Sequence, residues 1–342
     1  MGNYQFQKAI VVGDAFISSE SMVEALEQSK LQCTSIAKKF WGTLDKQEFT
    51  TRQLKVERGG PEAVAFADGL LEEIKDAEVI LTHFNPIPKE LIDAGTSLKY
   101  ILTCRGGLEH IDVAYAKSKN ITVVNVIRNA EPVADFALGL ILSITRNISL
   151  SHEKMKRGIW EKNYYNKDNI KTLDSYCVGL AGVGNIGIAL SKRLLALGVK
   201  VIAHDAYITK ETIEKNDIGA ITFVDSLEAL FATADIISLH LRLTAETEKM
   251  IDKKYFSLMK ETAYFMNTAR GGLVNEADLV DALESQKIAG AALDVYDAEP
   301  LDIHSKILQM DQVVLTPHIA GLTVDAIPRA PYMLMKKFDT MY

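Results

Sequence analysis

A chain of 342 residues, 48% hydrophobic and 24% charged, is too long for one small core and has the composition of a globular protein of about two domains. Its formal net charge of −7 leaves no basic excess to neutralise phosphates, which argues against a general nucleic-acid binder. Cys33, Cys104 and Cys177 are scattered, with neither a metal-ligand spacing nor a disulfide framework, and suit a reducing compartment.

Residues 1–8 carry no basic-then-apolar signal pattern. The most apolar helical stretch, 134–144, contains Asp135 and is well short of the ~20 residues that span a bilayer. It reads as a buried core helix, and the expectation is a cytoplasmic protein with no membrane partner. Short apolar strands then alternate with amphipathic helices almost throughout, the mark of parallel α/β architecture. In the first half, strands are expected at 9–12, 77–82, 100–103 and 121–124, with helices at 21–28 and 88–94. A long helical pattern follows from Pro132 to about Gly158, with proline suited to its first turn. In the second half, strands are expected at 177–180, 199–204, 236–239, 263–266, 289–295 and 313–315. No repeat, low-complexity tract or flexible linker interrupts the pattern, so structured segments join the domains.

Gly182-Val183-Gly184-Asn185-Ile186-Gly187 follows the strand at 177–180 and opens a helix. Glycine tolerates the tight turn and lets backbone N–H groups approach a pyrophosphate, while the helix start points its positive end at that anion. Asp205, about twenty residues on, stands where a carboxylate accepts from a ribose 2′-hydroxyl and repels a 2′-phosphate. The pattern predicts NAD (NADH) as cofactor, with NADP disfavoured by Asp205; the bland alternatives are a packing turn and a plain strand-end carboxylate.

Arg270 lies just after the strand at 263–266, Asp294 ends another, and His318 follows a third. Residues at the carboxyl ends of parallel strands face the ligand crevice of a doubly wound sheet. Arginine offers a planar fork for a carboxylate. Histidine moves protons near neutral pH, and a carboxylate nearby, such as Glu299, favours its imidazolium. His110, His204 and His240 are scattered and read as structural or cofactor-adjacent, and no ligand cluster predicts a metal.

With these motifs in view, the chain resembles the D-isomer-specific 2-hydroxyacid dehydrogenases over essentially its whole length, most strongly from Arg105 to Gly321. Asn267-Thr268-Ala269-Arg270-Gly271, Ala292-Leu293-Asp294-Val295 with Glu299-Pro300, and Thr316-Pro317-His318-Ile319-Ala320-Gly321 carry the resemblance. It implies two doubly wound parallel-sheet α/β domains: a Rossmann NAD domain, 126–318, inserted into a discontinuous flavodoxin-like substrate domain, 1–125 plus 319–342. It further implies that Arg270 orients the substrate carboxylate and polarises its carbonyl, that His318 is the acid/base, and that Glu299 is its partner. Asp294 is expected to hold the nicotinamide carboxamide, with Thr268 and Ala269 near the ring. Gly182, Gly184, Asn185, Ile186, Gly187, Asp205, Thr244, His318 and Gly321 complete the expected cofactor contacts. Gly106 and Gly107, beside Arg105, match the loop whose amides bind the substrate carboxylate. A homodimer through the NAD domain is expected, to which the long helix and residues 158–165 contribute. Trp160 or Tyr164 then either reaches the partner's substrate pocket or forms dimer core.

The expected reaction interconverts a D-2-hydroxy acid and its 2-keto acid. Thr82-His83-Phe84-Asn85-Pro86 offers no arginine where phosphate-binding members do, which weakens 3-phosphoglycerate as the alternative substrate. No regulatory domain is expected after residue 342, and Glu299 in place of glutamine disfavours formate oxidation. Polar loops hint at a sugar-derived acid, with His83, Asn85, Arg105 and Arg128 as either substrate contacts or solvated surface residues. The rival reading is an NAD(H)-sensing regulatory protein on the same fold.

Overall fold

The computed structural model describes residues 4–341. They form two compact units, one built by the chain up to Arg128 together with Thr323 onward, the other by Asn129–Leu322. Relative to the boundaries expected near Val126 and His318, the second unit keeps residues 319–322. The reason is local: the amides of Ile319 and Ala320 are bonded to Asp294 of that unit.

The first unit holds five strands, β1 Tyr4–Gly13, β2 Leu31–Phe40, β3 Val79–Thr82, β4 Tyr100–Thr103 and β5 Thr122–Asn125. All pair in parallel, in the order β2-β1-β3-β4-β5. β3 is buried at every residue, as a central parallel strand covered on both faces must be. Helices cap and cover the sheet. Ser18 accepts from the Ser21 amide at the start of Ser19–Glu27, and Ala326–Met341 packs beside that helix, burying Leu334, Met335 and Phe338. Several elements went unpredicted, among them β2 and the helix Lys46–Gly59. β2 is a mostly exposed edge strand with no apolar run, and helix Lys46–Gly59 buries little beyond Phe49 and Val56.

The second unit holds seven parallel strands: β6 Cys177–Ala181, β7 Lys200–His204, β8 Thr222–Phe223, β9 Ile236–Leu239, β10 Tyr264–Asn267, β11 Gly290–Leu293 and β12 Val313–Leu315. Their order is β12-β11-β10-β9-β6-β7-β8, a doubly wound sheet that reverses between β6 and β9. The long helix expected from Pro132 to Gly158 is two helices, Ala130–Arg146 and Ile148–Lys156, meeting at 66°. Asn147 makes the corner with a φ of 55°, a conformation asparagine tolerates better than most residues. Its side chain donates to Asn166, whose own amide donates to the Tyr264 hydroxyl, so the corner is tied to β10 by buried polar groups. No single helix among the described residues is long and apolar enough to cross a membrane.

Candidate active site

The reversal point of the seven-stranded sheet carries the glycine turn, and each glycine there has its own reason. Gly182 has a φ of 93°, and a Cβ on it would lie 2.8 Å from the His240 carbonyl oxygen. A Cβ on Gly187 would lie 2.6 Å from the Gly182 oxygen, so only glycine lets the helix sit this close to the turn. Gly184 differs: a Cβ there meets nothing within 4 Å. The space in front of Gly184 is open, and helix Asn185–Ala196, with Asn185, Ile186 and Gly187 in its first turn, begins there with no side chain bonded to its amides. An open face, free amides and a helix start fit a pyrophosphate.

Asp205 is fully engaged with backbone. Its Oδ2 accepts from the Val183 amide at 2.7 Å and its Oδ1 from the Tyr207 amide at 2.8 Å, so it braces the turn. Thr244 lies in an exposed turn after β9, closed by its amide donating to Thr247 Oγ1. His240, behind Gly182, is half-buried, and its desolvation lowers its pKa to about 4, so its ring is neutral.

Neighbouring strands β10, β11 and β12 deliver the catalytic candidates from their carboxyl ends. After β10, Asn267 clamps the turn: its Oδ1 accepts from the Ala269 amide and its Nδ2 donates to the Arg270 carbonyl. Thr268 and Ala269 are buried, and Thr268 Oγ1 has no partner among the described residues. Arg270 is exposed, with Nη1 donating to the Ala269 carbonyl at 2.7 Å. A Cβ on Gly271 would overlap the Tyr296 carbonyl at 1.9 Å, so the Arg270 turn presses directly on the loop after β11.

Asp294, after β11, has no solvent exposure. Its Oδ1 accepts from Thr316 Oγ1 at 2.6 Å and the Ile319 amide at 2.9 Å; its Oδ2 accepts from the Ala320 amide at 2.9 Å. Those donors flank His318, and Gly321 follows directly. Tyr296 adds a second tie, donating from its hydroxyl to the Leu293 and Thr316 carbonyls. Glu299 accepts from the Tyr296 amide at Oε1, and its Oε2 lies 2.7 Å from His318 Nδ1. A carboxylate only accepts, so Nδ1 carries the proton and Nε2 is left for another partner. Burial would raise the Glu299 pKa, but the bonds from His318 and Tyr296 outweigh it and hold the carboxyl below its usual range. Sequence patterning singled out neither Asn267 nor Tyr296 for a role. Asn267 lies inside a quoted motif at a strand end, which was its only signal; Tyr296 had none.

In the first unit, Gly106 and Gly107 follow β4, and Asn125 Nδ2 donates to the Gly106 carbonyl at 2.8 Å. Their own N–H groups donate to no acceptor among the described residues. His83, Asn85 and Arg105 are buried, which corrects the solvated-surface alternative. Asn85 is committed to the fold, accepting from the Ala67 amide and donating to the Pro86 carbonyl.

Residues 138–320 match the family described as D-isomer specific 2-hydroxyacid dehydrogenase, NAD binding domain. Over 266 residues the chain is 39% identical to a glyoxylate reductase of Thermofilum pendens, spanning 76% of this chain and 77% of the relative. The chain belongs to the D-isomer-specific 2-hydroxyacid dehydrogenases. A second member, a hydroxypyruvate reductase of Thermotoga maritima, is 36% identical over 274 residues, 79% of this chain and 86% of that one. Among solved structures, a D-lactate dehydrogenase of Lactobacillus jensenii with NAD+ superposes with a TM-score of 0.65 at 25% identity, covering 97% of this chain and 96% of that one. As a member of this dehydrogenase family, the chain is an NAD-dependent oxidoreductase.

Proposed function

We propose that the chain interconverts a D-2-hydroxy acid, small or sugar-derived, and its 2-keto acid, with Arg270, Glu299 and His318 as the catalytic residues. The observation that carries this reading is the Glu299–His318 pair, 2.7 Å apart on loops braced by Asp294 and Tyr296. The 182–187 turn would hold NADH, which would supply the hydride. His318, protonated at both nitrogens, gives its Nε2 proton to the substrate oxygen as the carbonyl becomes an alcohol. In the reverse direction neutral His318 takes that proton back. Glu299 accepts from Nδ1 and so fixes the ring's tautomer and orientation. Arg270 binds the carboxylate and polarises the carbonyl. In the other unit, Gly106 and Gly107 offer two free amides of the kind that bind a carboxylate.

Asp205, which already braces the cradle, places a carboxylate where a 2′-phosphate is unwelcome, and this supports NAD over NADP. The exposed apolar side chains Ile148, Met155, Ile159 and Trp160 of the second unit support a homodimer through that unit. The composition and free cysteines support a cytoplasmic enzyme. NADH consumption against glyoxylate, pyruvate, hydroxypyruvate, phosphohydroxypyruvate and keto-sugar acids tests the reading, with Arg270→Ala as control. Turnover lost by roughly 10²–10³ in the variant is the expected result. NADH binding without turnover across the panel would favour an NAD(H)-sensing protein.

A further inference from the structure

Three loops of the second unit each carry one of the proposed catalytic groups, and one residue touches all three. Arg270 lies after β10, Glu299 in the loop after β11, and His318 after β12. Tyr296, two residues beyond Asp294, meets each loop through a different group.

Its backbone meets the first. A Cβ on Gly271 would fall 1.9 Å from the Tyr296 carbonyl and 2.6 Å from the Asp297 nitrogen, so the two turns touch with nothing between them. Lys249 fastens the same contact: its amide donates to the Gly272 carbonyl at 2.7 Å, and its ammonium lies 3.3 Å from Asp297. Lys249 holds a φ of 50°. Of the six non-glycine residues with positive φ among the described residues, Asn120, Asn147, Asp217 and Gln286 stand at helix ends, which leaves Lys249 and His318. Such strain marks places that surrounding contacts over-determine, and these two residues pair with Asp297 and Glu299, either side of one loop.

The Tyr296 amide meets the second loop, donating to Glu299 Oε1 at 3.1 Å and leaving Oε2 for His318. Its hydroxyl meets the third. The hydroxyl donates to the Thr316 carbonyl at 2.9 Å, and that carbonyl also accepts from the His318 amide at 3.1 Å. The Leu293 carbonyl is farther, at 3.2 Å, and already receives the Thr316 amide. A phenol has one proton to give, so the shorter bond to Thr316 defines the loop.

The ring between these ends is a strut. It is 8% exposed and belongs to the apolar cluster that includes Leu273, Leu293 and Ile307. Burial pushes the hydroxyl pKa up to about 12, so it remains a donor well above neutral pH. Asp294, by contrast, ties only the loops after β11 and β12.

We propose that Tyr296 is a positioning residue: with its hydroxyl on Thr316 and its backbone against Gly271, it sets the spacing between Arg270 and the His318 ring. This role rests on the 2-keto acid reading of the site and names what keeps its clamp and its proton donor in register. A keto acid must meet both groups at once, so an error in that spacing reaches the rate more than the affinity.

The test removes the hydroxyl alone. Tyr296→Phe keeps the ring, the amide bond to Glu299 and the contact at Gly271, and NADH affinity serves as the folding control. Well below the melting temperature, kcat should fall about 5- to 10-fold, with the keto acid KM and the NADH Kd within about twofold of wild type. In a His318→Gln background the same change should cost nothing further, because the two residues act as a unit. A second readout needs no turnover. The His318 Nδ1 proton, bonded to Glu299, gives a downfield proton resonance in histidine-labelled protein, assigned by its loss in His318→Gln. Tyr296→Phe should make that proton exchange with water about fivefold faster or more. Either readout unchanged, with only the melting temperature lowered, makes Tyr296 a packing residue and overturns the proposal. An equal loss of kcat with and without His318 overturns it too. If His318→Gln keeps near-native turnover, the catalytic reading fails, and the resonance alone decides: faster exchange upholds the positioning of the ring, and unchanged exchange overturns it.

Discussion

Asp294 holds His318 in an uncommon backbone conformation. His318 has a φ of 55°, in the left-handed region that few non-glycine residues occupy. Asp294 receives the Thr316 hydroxyl on one side of it and the Ile319 and Ala320 amides on the other. Strain of about 1–3 kcal/mol at such a residue persists only where surrounding bonds over-determine it. Here they do, and the ring is presented to Glu299.

Asp294→Asn is the sharpest probe of that role. A carboxamide turns an NH2 group toward backbone N–H donors, and one charge-assisted bond, worth about 1.5–3 kcal/mol, is lost. The expected outcome is a lower melting temperature together with a fall in turnover of about 10²-fold, since small displacements of a catalytic group are that expensive. Thermal unfolding and steady-state NADH consumption on the same preparation check both halves.

Glu299→Gln acts on pH dependence. The Glu299 pKa lies below the usual range, so its contribution to stability is present above the ordinary glutamate pKa and disappears as pH falls through the depressed value. The variant should show less acid-side loss of stability than wild type between about pH 5 and 3, read as melting temperature against pH. A stability profile superimposable on wild type would contradict the pairing.

The glycines of the turn separate fold from binding. Gly187→Ala places a methyl 2.6 Å from the Gly182 carbonyl and should destabilise the unit. Gly184→Ala meets open space, so its melting temperature should stay within about 2 °C of wild type. Yet its methyl enters the face proposed for the pyrophosphate, and the NADH Kd should rise about tenfold or more. Fluorescence titration with NADH distinguishes the two.

Asp205→Ser should narrow the preference for NADH over NADPH, measured as the ratio of kcat/KM values, by about 10-fold or more. Because Asp205 also receives the Val183 and Tyr207 amides, the same variant should weaken binding of both cofactors. An unchanged ratio would leave Asp205 a brace alone.

Much of this was readable before folding because central parallel strands are short apolar runs and their carboxyl ends mark ligand positions. β4, β9 and β12 fell where the pattern put them. β2 escaped because an edge strand exposes most of its side chains, and the corner at Asn147 because one left-handed residue breaks no hydrophobic period. Arg270 and His318 were legible as strand-end residues, and Glu299 as the partner of His318 was what the family resemblance implied. The ties among them were not legible. Asp294 to Ala320, Tyr296 to Thr316 and Gly271 against Tyr296 depend on how neighbouring strand ends are staggered, which only the assembled sheet determines. The Asp14–His83–Arg128 chain likewise joins three strand ends far apart in sequence.

The most direct test of the central claim is the rate of NADH consumption by His318→Gln, at saturating NADH and the best 2-keto acid, against wild type. An acid/base role predicts a fall of roughly 10²–10⁴ with NADH affinity retained. A rate within a few-fold of wild type would contradict it.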